Sequence, residues 1–319
     1  MAVYTDVTFG DLETLLAEYD IGAARGFKGI AEGVENSNFI LQTDRNTFIL
    51  TLYEKRVSAD DLPFFLGLLA HLTTRHVPCP MPVRNRAGME WTTVNGRPAA
   101  ILGWLDGLSL DYPDAAHCSE AGAALAQLHD AGKDFPLTRT NGLGLSGWAA
   151  LANATLGRAD TVQAGLSELI GSTLAELQRS WPRALPGGII HADLFPDNVL
   201  FMNGKVSGLI DFYFACHDFY AYDLAVMLNA WCFDADSTYN TTKGRSLVNA
   251  YCKRRPLDDA ETSFLPVLAQ GAALRFLLTR LYDWLDVDPT ALVRPKDPRE
   301  FAKRLAFHRC VRSAAEYGL

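Results

Sequence analysis

Hydrophobic residues change their spacing several times along the chain, and each change marks an element. Leu12, Leu15, Leu16 and Tyr19 recur at helical spacing behind Thr8, which is placed to cap, so the pattern predicts one short amphipathic helix. From Gly26 to Tyr53 the period becomes two: Phe39 and Leu41, then Phe48, Leu50 and Leu52, alternate across a turn at Asp44-Arg45-Asn46. This predicts a three-strand meander. Its first turn, Gly29 to Asn38, carries main-chain N–H groups suited to covering phosphates, although the same pattern also fits a plain hairpin. Leu62 to Leu72 is apolar all round at helical density, and Pro78, Pro80 and Pro82 bar its continuation. Trp91 to Val94 and Pro98 to Leu102 flank Asn95-Gly96, a strong hairpin signal.

Gly103-Trp104-Leu105-Asp106-Gly107 reads as a connector, and beyond it helical spacing dominates. Ala115 to His129 predicts one helix, Leu166 through Trp181 another, Asp223 to Trp231 a third. Phe264 to Leu285 predicts a long helix, apolar nearly all round and therefore buried, in which Arg275, Arg280 and Asp283 are the exceptions. Pro289 to Pro298 is a proline- and charge-rich loop before a final, more polar helix. The expected class is α+β, with residues 1–104 forming a small antiparallel sheet with a helix and 105–319 a larger, mainly helical region.

Bulk properties narrow the function. With 49 % hydrophobic and 21 % charged residues the chain reads as an ordinary globular protein rather than a disordered one. Its 29 basic against 37 acidic residues, a net charge of −8, argue against nucleic acid or an anionic membrane as main partner. Cys79, Cys118, Cys216, Cys232, Cys252 and Cys310 form no Cys-x-x-Cys pair and read as reduced, mostly packed thiols. The N-terminus lacks a basic region followed by an apolar core, and no uninterrupted apolar run reaches membrane-spanning length, so the expected location is the cytoplasm.

One helix-poor stretch remains, Ile189 to Phe212, and it holds the candidate chemistry. His191, Asp193, Asn198 and Asp211 lie there between β-branched, apolar segments. Gly188 to Ile190 and Asn198 to Phe201 are expected as short paired strands with His191 to Asp197 as the exposed connection. Asn203-Gly204 predicts a turn into another strand, Val206 to Ile210, that ends at Asp211. Asp193, Asn198 and Asp211 are hard oxygen donors, the set that holds Mg²⁺ together with substrate phosphates. Asp193 and Asn198 stand five apart, the spacing of base and metal-binding Asn in protein kinases.

His191-x-Asp193-x-x-x-x-Asn198, Ile210-Asp211-Phe212 and Tyr222-Asp223-Leu224-Ala225 together resemble the aminoglycoside phosphotransferase-like kinases. Within that superfamily the chain looks like a type II homoserine kinase, through Gly33-Val34-Glu35-Asn36-Ser37-Asn38, Leu50-Thr51-Leu52-Tyr53-Glu54-Lys55-Arg56 with Asp61-Leu62-Pro63-Phe64-Phe65, and Gly271-Ala272-Ala273-Leu274-Arg275-Phe276. The resemblance implies a two-lobed protein kinase-like fold, ATP and Mg²⁺ as cofactors, and phosphorylation of the hydroxyl of L-homoserine. Asp193 is then the base, His191 the ring supporting the loop or taking direct part, and Asn198 and Asp211 the metal ligands. Gly33, Asn36, Ser37, Asn38 and Thr51 would face the nucleotide phosphates, and Leu102, Trp104 and Leu105 its adenine. Asp223 is expected as a helix cap or a brace for the loop. Arg275 is a candidate for the substrate carboxylate, with an internal salt bridge to Asp283 or Asp223 as the equal alternative; Asp218 or Asp193 would face the ammonium, and Tyr213, His217 and Trp231 either line the site or pack.

Two departures stand out. Thr51 occupies the strand position where the family carries a phosphate-contacting Lys or Arg, which leaves Lys28 or Lys55 as the cation and Asp60 or Asp61 as its acidic partner. Asp211-Phe212-Tyr213 lacks the glycine of the protein kinase triplet. The rival readings are a kinase of another small alcohol, such as an aminoglycoside, choline or an amino-alcohol, and a non-catalytic nucleotide-binding protein.

Overall fold

The computed structural model describes residues 5–30, 36–54, 58–287 and 295–319. The chain divides into two units, one running to Asp106 and the other starting at Gly107. In the first, α1 (Phe9–Ala17) opens on a capping box in which Thr8 and Asp11 exchange hydrogen bonds between side chain and main chain. The meander follows as β1 (Ala24–Gly29), β2 (Asn36–Thr43) and β3 (Thr47–Tyr53). After α2 (Leu62–Thr74), β4 (Thr92–Val94) and β5 (Arg97–Gly103) form the second hairpin. Asn95 and Gly96 both take positive φ, 50° and 75°, as a two-residue turn matched to strand twist requires. The first strand of that hairpin starts one residue later than the pattern predicts, at Thr92.

β5 lies beside β3, so among the described residues the antiparallel sheet has the order β1-β2-β3-β5-β4. Alternate residues of the strands, Phe39, Leu41, Phe48, Leu50, Leu52, Ala99 and Ile101, share one core with Leu12 and Leu15 of α1 and with Tyr19 just after it. The two periodicities, two in the strands and about 3.6 in the helix, thus point at a single apolar layer.

The second unit contains α3 (Ala115–Ala131), α4 (Leu145–Ala159), α5 (Leu166–Ser180), β6 (Gly187–Ile190), β7 (Val199–Met202), β8 (Lys205–Leu209), β9 (Cys216–Phe219), α6 (Tyr220–Trp231), α7 (Thr241–Arg254), α8 (Asp259–Leu285) and α9 (Pro298–Cys310). The hydrophobic pattern alone does not mark α4 and α7. In α4 the buried side is Trp148, Ala152, Thr155 and Ala159, mostly small or polar, and α7 carries a polar majority around Leu247, Val248 and Tyr251. The long helix starts at Asp259, before its apolar stretch, because Asp258 caps it in a capping box with Glu261. By length and composition α8 is apolar enough to cross a membrane, but 78 % of that stretch is buried inside the protein, against α4, α5, α6 and α9.

At Gly271 the buried face of α8 meets two tryptophans. A Cβ there would sit 2.4 Å from Trp181 and 2.8 Å from Trp148, closer than carbon atoms approach. Helix propensity favours alanine over glycine by up to about 1 kcal/mol, while overpacking of this kind costs about 1 to 3 kcal/mol. Gly271→Ala is therefore expected to lower stability, read as a fall in the urea midpoint at unchanged m; a rise in the midpoint would mean that the tryptophans yield.

Candidate active site

The loop that carries the candidate residues runs between two small sheets. β6 pairs antiparallel with β9, Ile190 opposite Cys216, and β7 pairs with β8, Met202 opposite Lys205. The strands on either side of the loop are therefore not partners of each other, contrary to the expectation from their sequence. The reason is local: Asn203 and Gly204 take φ of 52° and 74°, and this turn folds β7 onto its own successor. β6 takes its partner from Cys216–Phe219, a segment too short to announce itself as a strand.

The start of the loop hangs on one carboxylate. Asp223 lies in the first turn of α6, fully buried, and accepts the main-chain N–H groups of His191 at 2.7 Å and Ala192 at 2.8 Å. The helix is capped by Phe219, so Asp223 is a brace and not a cap. Its second support is His129, whose Nε2 donates at 3.1 Å while its Nδ1 accepts from the Tyr251 hydroxyl at 2.8 Å. Burial alone would push the Asp223 carboxyl up, but the hydrogen bonds from the His129 ring and the His191 main chain outweigh it and hold it below the usual carboxylate range. Burial pushes His129 down in spite of the carboxylate, so a neutral ring supports a charged acceptor. Sequence reasoning placed His129 in scaffold and did not single out Tyr251; the available signal was a histidine on the apolar face of a helix.

Ala192 has φ 65°, a left-handed conformation that costs a non-glycine residue about 1 to 2 kcal/mol. It is held there from both sides, its N–H by Asp223 and its carbonyl by the guanidinium of Arg275. Arg275 is 2 % exposed and its Nη2 lies 4.0 Å from Asp193 Oδ1. Of the alternative partners expected for it, Asp223 serves the loop amides and His129. The neighbouring Arg280 pairs with Glu300 at 2.5 Å.

Beyond Asp193 the loop is fixed to its surroundings residue by residue. The His191 ring is buried, packs tilted against Phe212 with ring centres 4.6 Å apart and donates from Nε2 to the Ile210 carbonyl at 3.0 Å. Its Nδ1 accepts the N–H of Asp193 at 3.3 Å, so the ring is neutral, in keeping with the downward pull of burial on its pKa. The geometry gives His191 a supporting place under the loop. Trp231 Nε1 donates to the Leu194 carbonyl at 2.8 Å, and Phe195 packs on Phe276. Asn198 Nδ2 donates to the Asp193 carbonyl at 2.8 Å and to its Oδ2 at 3.3 Å, which assigns Asn198 Oδ1 as the side chain's acceptor. Ile210 N–H donates to the Asn198 carbonyl at 3.0 Å, so Asp211 follows directly on a residue tied to both Asn198 and His191. Asp211 itself takes φ 64° and is exposed.

Asp218 in β9 accepts from Asn141 Nδ2 and from Phe219 N–H, both at 2.7 Å, and burial raises its pKa against these bonds. His217 is tied through its main chain to the Arg139 carbonyl, and Trp231 is core.

The first unit holds the other candidate residues. Asn36, Ser37 and Asn38 lie in β2, not in a turn. Thr51 is buried and donates to Asn38 Oδ1 at 2.7 Å, and Ser37 donates to Glu54 at 2.7 Å. Glu54, which was not singled out for chemistry, also pairs with Arg97 at 3.2 Å. Lys28 is exposed on β1, and Asp60 and Asp61 sit in a single 3₁₀ turn. Leu102 is buried in β5, opposite Ile49; Trp104 is exposed and donates to Asp106, and Leu105 follows it half-buried. Gly33 and Lys55 lie outside the described residues.

Several buried rings make the fold acid-sensitive. Burial pushes His129 and His191 below the ordinary histidine range, and burial with the nearby Arg304 pushes His308 down to about 3. A folded-state pKa below the unfolded value means that the unfolded chain binds the proton first. Stability is then full above about pH 6.5 and is lost as pH falls towards the folded value. His308 alone is expected to remove roughly 2 kcal/mol between pH 7.5 and pH 5, read from urea midpoints. A flat profile across that window would mean that the folded rings carry charge.

Residues 26–257 match the phosphotransferase enzyme family. The chain is 58 % identical over all 319 of its residues to the homoserine kinase of Bradyrhizobium sp. (strain BTAi1 / ATCC BAA-1182), of which the alignment covers 98 %. It is 59 % identical over the same length to the homoserine kinase of Rhodospirillum rubrum, covering 99 % of that protein. Its fold is similar to that of a spectinomycin phosphotransferase solved in complex with ADP and spectinomycin, with a TM-score of 0.70, 98 % of each chain covered and 10 % identity. The fold is thus that of the kinase-like phosphotransferases, and the chain belongs to the phosphotransferase enzyme family and, within it, to the homoserine kinase family.

Proposed function

We propose that this protein transfers the γ-phosphoryl group of ATP to the side-chain hydroxyl of L-homoserine, giving O-phosphohomoserine and ADP on the route to threonine. The observation that carries the reading is the 58–59 % identity to homoserine kinases from end to end, in a chain that keeps the Asp193, Asn198 and Asp211 set. Cytoplasmic location and a small-molecule partner, rather than nucleic acid or membrane, go with it.

Asp193 accepts the hydrogen bond of the substrate hydroxyl and takes its proton as the new O–P bond forms and the bond from the γ-phosphorus to the ADP oxygen breaks. Asn198 orients Asp193 through its amide nitrogen. Asn198 Oδ1 and the Asp211 carboxylate would hold Mg²⁺. Among the described residues no three His, Cys, Asp or Glu side chains gather into a cage, so a cation here would draw its other ligands from phosphate and water, the habit of Mg²⁺. When bound, it supplies charge neutralisation on the phosphates. Main-chain groups around Leu102, Trp104 and Leu105 are proposed for the adenine edge, and Asp218 for the substrate ammonium. Thr51, a neutral hydroxyl bound to Asn38, brings no charge to the phosphates.

ADP release is the direct test, with homoserine, serine, choline and an aminoglycoside offered separately. Homoserine is expected to give turnover well above the others. No rate above the substrate-free background with homoserine, alongside turnover of another alcohol, would move the assignment to that alcohol. Asp193→Asn is expected to keep the fold and ATP affinity and to lose about 10² to 10⁴ in kcat, the usual contribution of a positioned base. Unchanged kcat would remove Asp193 from the chemistry.

A further inference from the structure

The surroundings of Arg275 speak against its expected job. A ligand for the substrate carboxylate must present its N–H groups to a solute, and this side chain is 2 % exposed. Its Nη1 donates to the carbonyl of Ala192. Its plane packs against the ring of Phe276, 4.5 Å away, and that of Phe214, 5.3 Å away. Its Nε is also buried and has no partner among the described residues.

The distances separate two ways of acting on the base. Nη1 is hydrogen-bonded to the main chain just before Asp193, whereas Nη2 is 4.0 Å from Asp193 Oδ1, beyond hydrogen-bond reach. Arg275 therefore leaves the carboxylate of Asp193 without a direct bond from its own fork and grips the peptide that carries it. That peptide follows the residue with φ 65°. A left-handed alanine relaxes unless something holds it, and its N–H and its carbonyl are held by different helices, by Asp223 of α6 and by Arg275 of α8. Rotating the Ala192–Asp193 peptide would swing the Asp193 side chain away, and a displacement of about 1 Å at a reacting group is enough to cost about 10² in rate.

We infer that Arg275 is a positioning residue for Asp193: it locks the Ala192 carbonyl and so sets the direction of the catalytic carboxylate, and it is not a ligand of the substrate. The inference rests on the kinase reading above. Its test compares wild type, Arg275→Met and Arg275→Lys as full-length protein, measuring kcat and KM for homoserine and ATP together with amide hydrogen exchange of the segment 189–195. For R275M the expected result is a fall in kcat of about 10²-fold with both KM values within about twofold of wild type, and faster exchange at 189–195. R275K is expected to recover part of kcat, because an ammonium still donates to the carbonyl. A homoserine KM raised tenfold or more in R275K or R275M, whatever kcat does, would overturn the inference and return Arg275 to the substrate. Should R275M not fold, R275K carries the same split between kcat and KM. If wild type itself turns over no homoserine, the function reading falls instead, and exchange at 189–195 still decides whether Arg275 holds the loop: an unchanged rate in a folded variant would overturn it.

Discussion

A single buried carboxylate, Asp223, takes the two N–H groups that open the loop of candidate residues, and the arrangement of the site follows from it. A charge in that position is costly unless every lone pair finds a donor. Two main-chain amides and the His129 ring supply the donors, and the Tyr251 hydroxyl fixes the ring's tautomer from behind. Four helices or strands of the second unit thus meet at one atom group: α3 through His129, α7 through Tyr251, α6 through Asp223 and the end of β6 through the loop.

The same economy governs the rest of the loop. His191 does not reach outward; it links its own loop to Ile210, which in turn is bonded to Asn198. Asn198 spends its amide nitrogen on Asp193 and keeps its oxygen for other use. Three candidate residues of one loop, His191, Asp193 and Asn198, are therefore tied into one short circuit of hydrogen bonds, and the strain at Ala192 is held by anchors on two different helices. Rigid placement of this sort is what phosphoryl transfer asks of a protein, since its catalysis is chiefly positioning and charge neutralisation.

The legible parts of the sequence were those with local causes. Thr8 and Asp11 announce their capping box three residues apart, Asn95-Gly96 announces its hairpin, and the alternation from Phe39 to Leu52 announces a half-buried sheet. The paired spacing of Asp193 and Asn198 is likewise a property of one loop. Other elements were silent for equally physical reasons. α4 buries mostly small side chains, α7 is polar over most of its length, and β9 has four residues. Where two strands compete for one partner, the tight turn at Asn203-Gly204 decides, and it favours β8 over β6.

By itself, then, the sequence determined the fold class and the spacing of the candidate residues, because each depends on side-chain order within a few turns or strands. Tertiary structure decided which of those residues touch and what the buried charges are for. Asp223 became a brace because His129, 94 positions away, packs beneath it. Arg275 became a grip on the loop because α8 brings it to a carbonyl 83 positions away. A buried arginine must be paired, and sequence can say that much; which oxygen pairs with it depends on how helices pack, and no local pattern encodes that choice.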